Sequence, residues 1–118
     1  MYMNPLSVGR SFVAVNTVTS AASALAIAIR YSAQRRQFSG PKEIEEKIVL
    51  TYPLTQLRLM PLLAKSFIYF FGGINILREY DTQIKNLTDP KNKLLNQMHA
   101  ISSIAKAQSS WFTIDAIT

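Results

Sequence analysis

The stretch VGRSFVAVNTVTSAASALAIAIRYSAQRRQ, at positions 8–37, decides the fold of this chain. Apolar or small side chains recur in it at spacings of three and four, which is the period of one face of an α-helix. The members of this series are Phe12, Val15, Val18, Ala22, Leu25, Ile29 and then Ser32 or Ala33. The alanines within 21–28 let a second helix approach closely. Such a helix would measure about 45 Å, so we expect it to be covered only in a larger protein or an oligomer.

Two further periodic segments predict helices at about 54–80 and 90–117, and a linker at about 39–53 follows the first helix. Gly40-Pro41 is predicted to end the first helix, because Pro cannot continue the hydrogen-bond ladder. Asp89 before Pro90 is a favourable helix start. The sequence therefore predicts an all-α fold, an antiparallel bundle of three long helices without a reliable strand.

The second helix is apolar on nearly every face, so we expect it to be the buried, central one. Pro61 would kink this helix or mark its true start. Gly72-Gly73 lowers helix propensity, which indicates a close backbone contact there. An aromatic run on the same helix is more typical of a core than of a cofactor site. Its members are Phe67, Tyr69, Phe70 and Phe71.

Composition narrows the possible functions. The chain has 118 residues, which suits one domain, and 48% of them are hydrophobic, which excludes a disordered tail. It has no Cys and one His, so a thiolate or zinc site and a serine triad have little support, and no metal ligands are predicted. The net charge of +6 suits an anionic partner. Without a basic stripe interleaved with aromatics, nucleic acid is not predicted as that partner.

Both long apolar segments raise the question of a membrane. The first is diluted by Ser, Thr and Asn, and the second carries Arg58 and Lys65 in its first half, which is costly within a bilayer. We therefore expect no membrane insertion, and a membrane-associated helical hairpin stays as the alternative.

The polar side chains offer few catalytic groups. His99 has no carboxylate at helical spacing to orient it, which favours a structural or surface role. Glu43, Glu45 and Glu46 lie in a polar connection, where a solvated face is the simpler interpretation. Arg35 and Arg36 near Phe38 can clamp a pyrophosphate and stack on a ring, or they can simply complement a helix dipole.

Three strings carry a resemblance to a known family: AIRYSAQRRQF at 28–38, EIEE at 43–46 and VLTYPLTQLRLMPLLA at 49–64. Together with His99-Ala100 and the region 107–113, they resemble the acyl-CoA oxidases, peroxisomal members of the acyl-CoA dehydrogenase superfamily. The sequence resembles most the branched-chain (pristanoyl) type or its oxidase-like relative. The resemblance implies a homodimeric flavoenzyme that binds FAD and oxidises fatty acyl-CoA to trans-2-enoyl-CoA with release of hydrogen peroxide, in fatty acid β-oxidation. It also implies that these helices are part of a C-terminal four-helix bundle.

The resemblance also implies roles for individual residues. The family pattern Tyr-x-x-x-Arg-x-x-Phe matches Tyr31, Arg35 and Phe38, so Arg35, Gln37 and Phe38 would contact the FAD of the neighbouring subunit, and Gln56 would be a further flavin contact. Arg10 would line the acyl-CoA site. This chain departs from the pattern at Ser7, where dehydrogenases commonly have Asp, and at Ser39, which comes before Gly40.

The family's catalytic Glu is expected beyond the end of this sequence, so no catalytic residue is predicted here. We therefore expect positions 1–118 to be a partial acyl-CoA oxidase helical domain that is inactive alone, and peroxisomal by resemblance. A short non-catalytic isoform that acts as a helical interaction module is the alternative within the family.

Overall fold

The computed structural model describes residues 3–40, 45–85 and 93–118. Three long helices make up most of these ranges: α1 at Met3–Gln34, α2 at Pro53–Lys85 and α3 at Lys93–Ile117. A short 3-10 helix at Val49–Thr51 precedes α2. The all-α prediction is confirmed, in an elongated molecule of 73 × 20 × 17 Å.

The helices alternate in direction. Side-chain hydrogen bonds join Arg10 to Ser103 and Thr17 to Ser109, so α1 and α3 run parallel. On α2, Gly73 approaches Val15, while Leu59 and Leu62 pack against the core cluster that includes Leu25, so α2 runs antiparallel to α1. The result is an up-down-up bundle.

Small side chains form most of the buried face of α1. It runs along the helix at spacings of three and four, through Ser7, Ser11, Ala14, Val18, Ala21, Leu25 and Ser32. The serines are compatible with burial because a helical hydroxyl can bond to its own backbone, as Ser11 does to the Ser7 carbonyl at 3.1 Å. The sequence-based series was right at Val18 and Leu25 and wrong at Phe12 and Ala22, which are exposed.

The same use of small residues continues on α3, where Ser102 and Ser109 are buried and bond to carbonyls three residues earlier in the helix. Phe112 completes the core of the bundle, and its ring lies 5.1 Å from that of Tyr69 on α2. Small side chains therefore bring α1 and α3 together, and a few large ones fill the remaining space.

The expectation that α2 is central and buried was wrong. Within the described residues α2 contributes Ser66, Gly73 and Tyr80 to the buried set. Of the predicted aromatic core, Tyr69 packs inward, whereas Phe67, Phe70 and Phe71 are exposed. The physical reason is geometric, since a helix that is apolar on every side can bury only one stripe against two neighbours.

The helix bounds differ from the predicted ones mainly after α1. The predicted helix 8–37 begins at Met3 and ends at Gln34, so Gly40-Pro41 does not end it. The second helix begins at Pro53 and passes through Pro61 without interruption, and the third is described from Lys93. Several predicted features lie outside the described residues, namely Pro41, Glu43, Asp89, Pro90 and the side chain of Leu94.

Two helices are long and apolar enough to cross a membrane by length and composition alone, at Pro5–Gln34 and Pro53–Gln83. Only 22% and 11% of their most apolar windows are buried in this bundle. The bundle therefore leaves wide apolar surfaces uncovered, above all on α2.

Candidate functional site

Residues 35–38, here named the post-helix segment, leave α1 and pair with the chain that leads to α2. The Arg35 N–H still donates to the Tyr31 carbonyl at 2.8 Å, the last helical bond. Beyond it Arg36 forms an isolated antiparallel bridge with Ile48. The Val49 N–H donates to the Arg35 carbonyl at 2.8 Å. The helix predicted to run through Gln37 therefore ends three residues earlier, at Gln34.

Three of the predicted cofactor residues, Arg35, Gln37 and Phe38, lie side by side in this segment and are all exposed. Of the carboxylates in the described ranges, none forms an ion pair with Arg35. Arg36 instead pairs with Glu45 at 3.4 Å, and its guanidinium also donates to the Glu46 carbonyl. The two neighbouring arginines therefore differ, since Arg36 has an exposed carboxylate partner and Arg35 has none among the described residues.

Gln56, the fourth predicted cofactor residue, lies in the first turn of α2 at the same end of the bundle. Its side-chain amide donates to the Leu50 carbonyl at 3.1 Å, which fixes the start of α2 to the 3-10 helix. Its backbone N–H donates to the Tyr52 carbonyl at 3.1 Å. Tyr52 in turn reaches the post-helix segment, because its hydroxyl donates to the Gln37 carbonyl at 2.7 Å.

Tyr52 is the residue that sequence reasoning missed at this end. It lies in the string 49–64 that carries the family resemblance, but no role was predicted for it. A sequence carries no signal that a tyrosine hydroxyl reaches a carbonyl fifteen positions earlier, so only the tertiary structure identifies it.

Arg10, the predicted substrate residue, lies near the opposite end of α1 in a half-buried polar cluster with Ser7, His99 and Ser103. Its Nη1 atom donates to the Ser103 hydroxyl at 2.9 Å and is 3.3 Å from both ring nitrogens of His99. The guanidinium therefore contacts both the imidazole ring and a hydroxyl group of α3.

Ser7 completes the cluster, with its hydroxyl 2.7 Å from Nδ1 of His99. The structural role predicted for His99 agrees with these contacts. Its partners come from α1, however, so spacing along its own helix could not reveal them. Ser7 stands where related dehydrogenases commonly have Asp, and here a neutral hydroxyl meets the ring.

The two groups of predicted residues occupy separate places. Arg10 and Arg35 are separated by about 37 Å at 1.5 Å per helical residue. One group is an aromatic and basic segment at the surface, and the other is a partly buried arginine that contacts a ring and one hydroxyl. No three His, Asp or Glu side chains of the described ranges converge on a point that could hold a metal ion.

These features define a class, the elongated all-α helical bundles with uncovered apolar faces. Comparison with known families identifies the family to which the chain belongs. The family model described as acyl-CoA oxidase, C-alpha1 domain, matches residues 4–118. The chain belongs to this family.

Curated relatives agree with that assignment. The chain is 37% identical over 98% of its length to acyl-coenzyme A oxidase 3, peroxisomal, of Arabidopsis thaliana. It is 36% identical over 92% of its length to peroxisomal acyl-coenzyme A oxidase 1 of Dictyostelium discoideum, and 33% identical over 98% to peroxisomal acyl-coenzyme A oxidase 3 of Homo sapiens. It spans only 16%, 16% and 17% of these relatives. No solved structure matches the chain.

Proposed function

We propose that this chain is the C-alpha1 helical segment of a peroxisomal, FAD-dependent acyl-CoA oxidase. In the proposed reaction a fatty acyl-CoA loses two hydrogens to become trans-2-enoyl-CoA, and oxygen is reduced to hydrogen peroxide, as in fatty acid β-oxidation. One observation carries the proposal: Arg35, Gln37, Phe38 and Gln56, the four residues implied as flavin contacts, gather at one end of the bundle.

The chemistry of this end suits a flavin dinucleotide. A guanidinium pairs bidentately with phosphate oxygens, an amide both donates and accepts hydrogen bonds, and an exposed aromatic ring offers a stacking face. Arg35 would hold the pyrophosphate, while Gln37 and Phe38 would contact the rest of the dinucleotide. Bound FAD would supply the acceptor for the hydride that leaves the β-carbon.

The Arg10 end would serve the acyl-CoA. The Ser103 hydroxyl and the His99 ring hold the guanidinium in one orientation, and a preorganised cation binds an anionic or carbonyl oxygen at lower entropic cost. Because the two ends are about 37 Å apart, one chain would serve two different sites. A flavin bound at the Arg35 end would then belong to the active site of a neighbouring subunit.

A flavin that is bound by one subunit and used by its neighbour implies a homodimer. The outward side chains of α2 form an uncovered apolar surface that includes Leu57, Phe67, Ile68 and Phe71, each more than half exposed. Surfaces of this kind mark interfaces. We propose that the remainder of the oxidase and its second subunit cover them.

The segment would supply no catalytic base. The glutamates of the described ranges, Glu45, Glu46 and Glu79, are exposed, whereas a carboxylate that removes an α-proton near neutral pH needs a pKa raised by an apolar pocket. We place the base elsewhere in the oxidase, as the family resemblance implies.

The test compares Arg35→Ala with Arg36→Ala in the full-length oxidase that contains this chain. We expect Arg35→Ala to lower the flavin content per protomer and to loosen the dimer, at a cost of about 1.5–3 kcal/mol for a lost charge-assisted bond. Arg36→Ala breaks an exposed ion pair worth about 0–1 kcal/mol and should retain more flavin. Flavin absorbance per protomer after dialysis measures both variants, and equal retention at the parental level would refute the role of Arg35.

A second candidate, a membrane-associated helical hairpin, is favoured by the apolar and little-buried faces of α1 and α2. Arg58 and Lys65, both exposed on α2, oppose it because charges at membrane depth are costly. Resistance of the cellular protein to extraction by alkaline carbonate would support the membrane alternative. Release by carbonate together with loss of FAD in the Arg35 variant would support the oxidase, whereas a released chain that never binds FAD would indicate an interaction module.

A further inference from the structure

Phe38 combines an unfavourable backbone conformation with an exposed side chain. Its φ of 58° lies in the left-handed region, and no other non-glycine residue of the described ranges has a positive φ. For a bulky residue this conformation is strained and persists only where surrounding contacts impose it. Because 68% of Phe38 is exposed, packing of its ring within the bundle does not compensate the strain.

Lys47 and Tyr52 impose the conformation. The Lys47 N–H donates to the Phe38 carbonyl at 3.0 Å, and the Gln37 N–H donates to the Lys47 carbonyl at 2.9 Å. The Tyr52 hydroxyl lies 2.7 Å from the Gln37 carbonyl oxygen and 3.3 Å from that of Phe38. Among these donors only the Tyr52 hydroxyl belongs to a side chain, so a single substitution can remove it.

The backbone of Tyr52 is itself fixed to the start of α2. Its N–H donates to the Val49 carbonyl at 3.2 Å, and its carbonyl accepts the N–H of Gln56 at 3.1 Å. The phenol therefore connects the beginning of one long helix to the strained residue that follows the other. Tyr52 therefore links the segment that carries Gln56 to the segment that carries Phe38.

We infer that Tyr52 is a positioning residue, whose hydroxyl holds the post-helix segment so that Phe38 and Arg35 are presented together to a flavin dinucleotide. The inference rests on the proposed function and adds to it a residue that touches no ligand. Strained residues that persist in folded proteins cluster at ligand sites. Phe38 presents an exposed ring, and the neighbouring Arg35 presents a guanidinium that pairs with none of the described carboxylates. A planar, anionic ligand can stack on the ring and bond to the guanidinium.

The first arm of the test removes one hydroxyl. Tyr52→Phe and the control Tyr69→Phe are compared in the full-length oxidase, since both changes delete a phenolic hydroxyl from the same region of chain. Tyr69 packs against Phe112 in the core, away from the post-helix segment. We expect Tyr52→Phe to raise the Kd for FAD by about tenfold, the equivalent of one hydrogen bond, and Tyr69→Phe to leave it unchanged. Flavin fluorescence on titration measures both, and thermal melting confirms that both variants are folded.

The second arm removes the strain. Asn tolerates left-handed backbone better than Phe does, so FAD-free Phe38→Asn should melt at the same temperature as the FAD-free parent or higher, while the variant loses FAD affinity. Phe38→Tyr keeps an aromatic ring and should retain affinity. A lower melting temperature for Phe38→Asn would overturn the assignment of strain.

The outcomes separate this inference from the function on which it rests. If Arg35→Ala and Phe38→Asn both keep the parental Kd for FAD, the proposed function is wrong. If both lose FAD while Tyr52→Phe binds it as tightly as Tyr69→Phe does, the function stands and the positioning role of Tyr52 is wrong. Loss in Tyr52→Phe with normal melting supports the inference.

Discussion

The contact between α1 and α2 at Gly73 gives a sharp test of the bundle. A Cβ atom added at Gly73 would lie 2.8 Å from Cγ2 of Val15, whereas one added at Gly72 would meet nothing within 4 Å. Non-bonded carbons normally stay about 3.5–4.0 Å apart. The Val15 side chain cannot easily turn away, because β-branched residues in helices have one strongly preferred rotamer. Gly72 and Gly73 are therefore neighbours in the sequence, but only Gly73 packs closely against α1.

The magnitudes follow from two opposing effects. Replacing Gly by Ala inside a helix gains about 1 kcal/mol of helix propensity, and Gly72→Ala should keep that gain. At Gly73 the overlap with Val15 costs about 1–3 kcal/mol, as overpacking in cores does. Gly73→Ala should therefore be neutral or destabilising by up to about 2 kcal/mol, after subtraction of the propensity gain. We expect the two variants to differ by about 1–3 kcal/mol.

Thermal unfolding followed by far-ultraviolet circular dichroism measures this difference in the 118-residue chain. A difference of 1 kcal/mol corresponds to roughly 4–8 °C in Tm for a domain of this size, so Gly72→Ala should melt well above Gly73→Ala. Introducing Val15→Ala should remove the penalty at Gly73, since the remaining Val15 atoms lie at 3.9 and 4.0 Å, and a double-mutant cycle would show the coupling. If Gly73→Ala stabilises as much as Gly72→Ala does, the two helices do not approach each other at this point.

Two further predictions concern the chain by itself. The purified 118-residue chain should produce no peroxide from fatty acyl-CoA, because its described glutamates are exposed and none has the apolar pocket that a base requires. A peroxidase-coupled assay tests this, and any acyl-CoA-dependent signal above that of the heat-treated chain would contradict it. The chain should also self-associate, because exposed apolar side chains such as Leu57, Phe67 and Phe71 lack cover. Sedimentation velocity without detergent measures the association, and a single monomeric species would count against it.

The periodic pattern of α1 determined a long helix, but it could not determine where that helix ends. Arg35, Arg36 and Gln37 are good helix formers, and the first strong breaker in the sequence is Gly40-Pro41. In the structure the helix ends at Gln34, because the following residues exchange backbone hydrogen bonds with Lys47 and Val49. Pairing with a segment nine to fourteen positions away overrides local propensity, and a local pattern contains no information about it.

Burial was the property least accessible from composition. Serine is a polar residue type, yet Ser7, Ser11, Ser102 and Ser109 are buried. Phe67 and Phe71 are apolar and yet exposed. The reason is that a small hydroxyl can bond to the helix backbone and allow close packing, whereas a large apolar side chain is buried only if a neighbour faces it.

Some features of the candidate site could likewise be predicted from the sequence, whereas others could not. The residue types of Arg35, Gln37 and Phe38, and the close backbone approach within Gly72-Gly73, could be read from the sequence by resemblance and propensity. Only the tertiary structure showed that Gly73 rather than Gly72 makes the contact, that the Tyr52 hydroxyl bonds to the Gln37 carbonyl, and that Arg10 contacts a histidine 89 positions away. Local chemistry and helical period are encoded by neighbouring residues. Contacts between distant residues depend on how the three helices pack, which no single segment specifies.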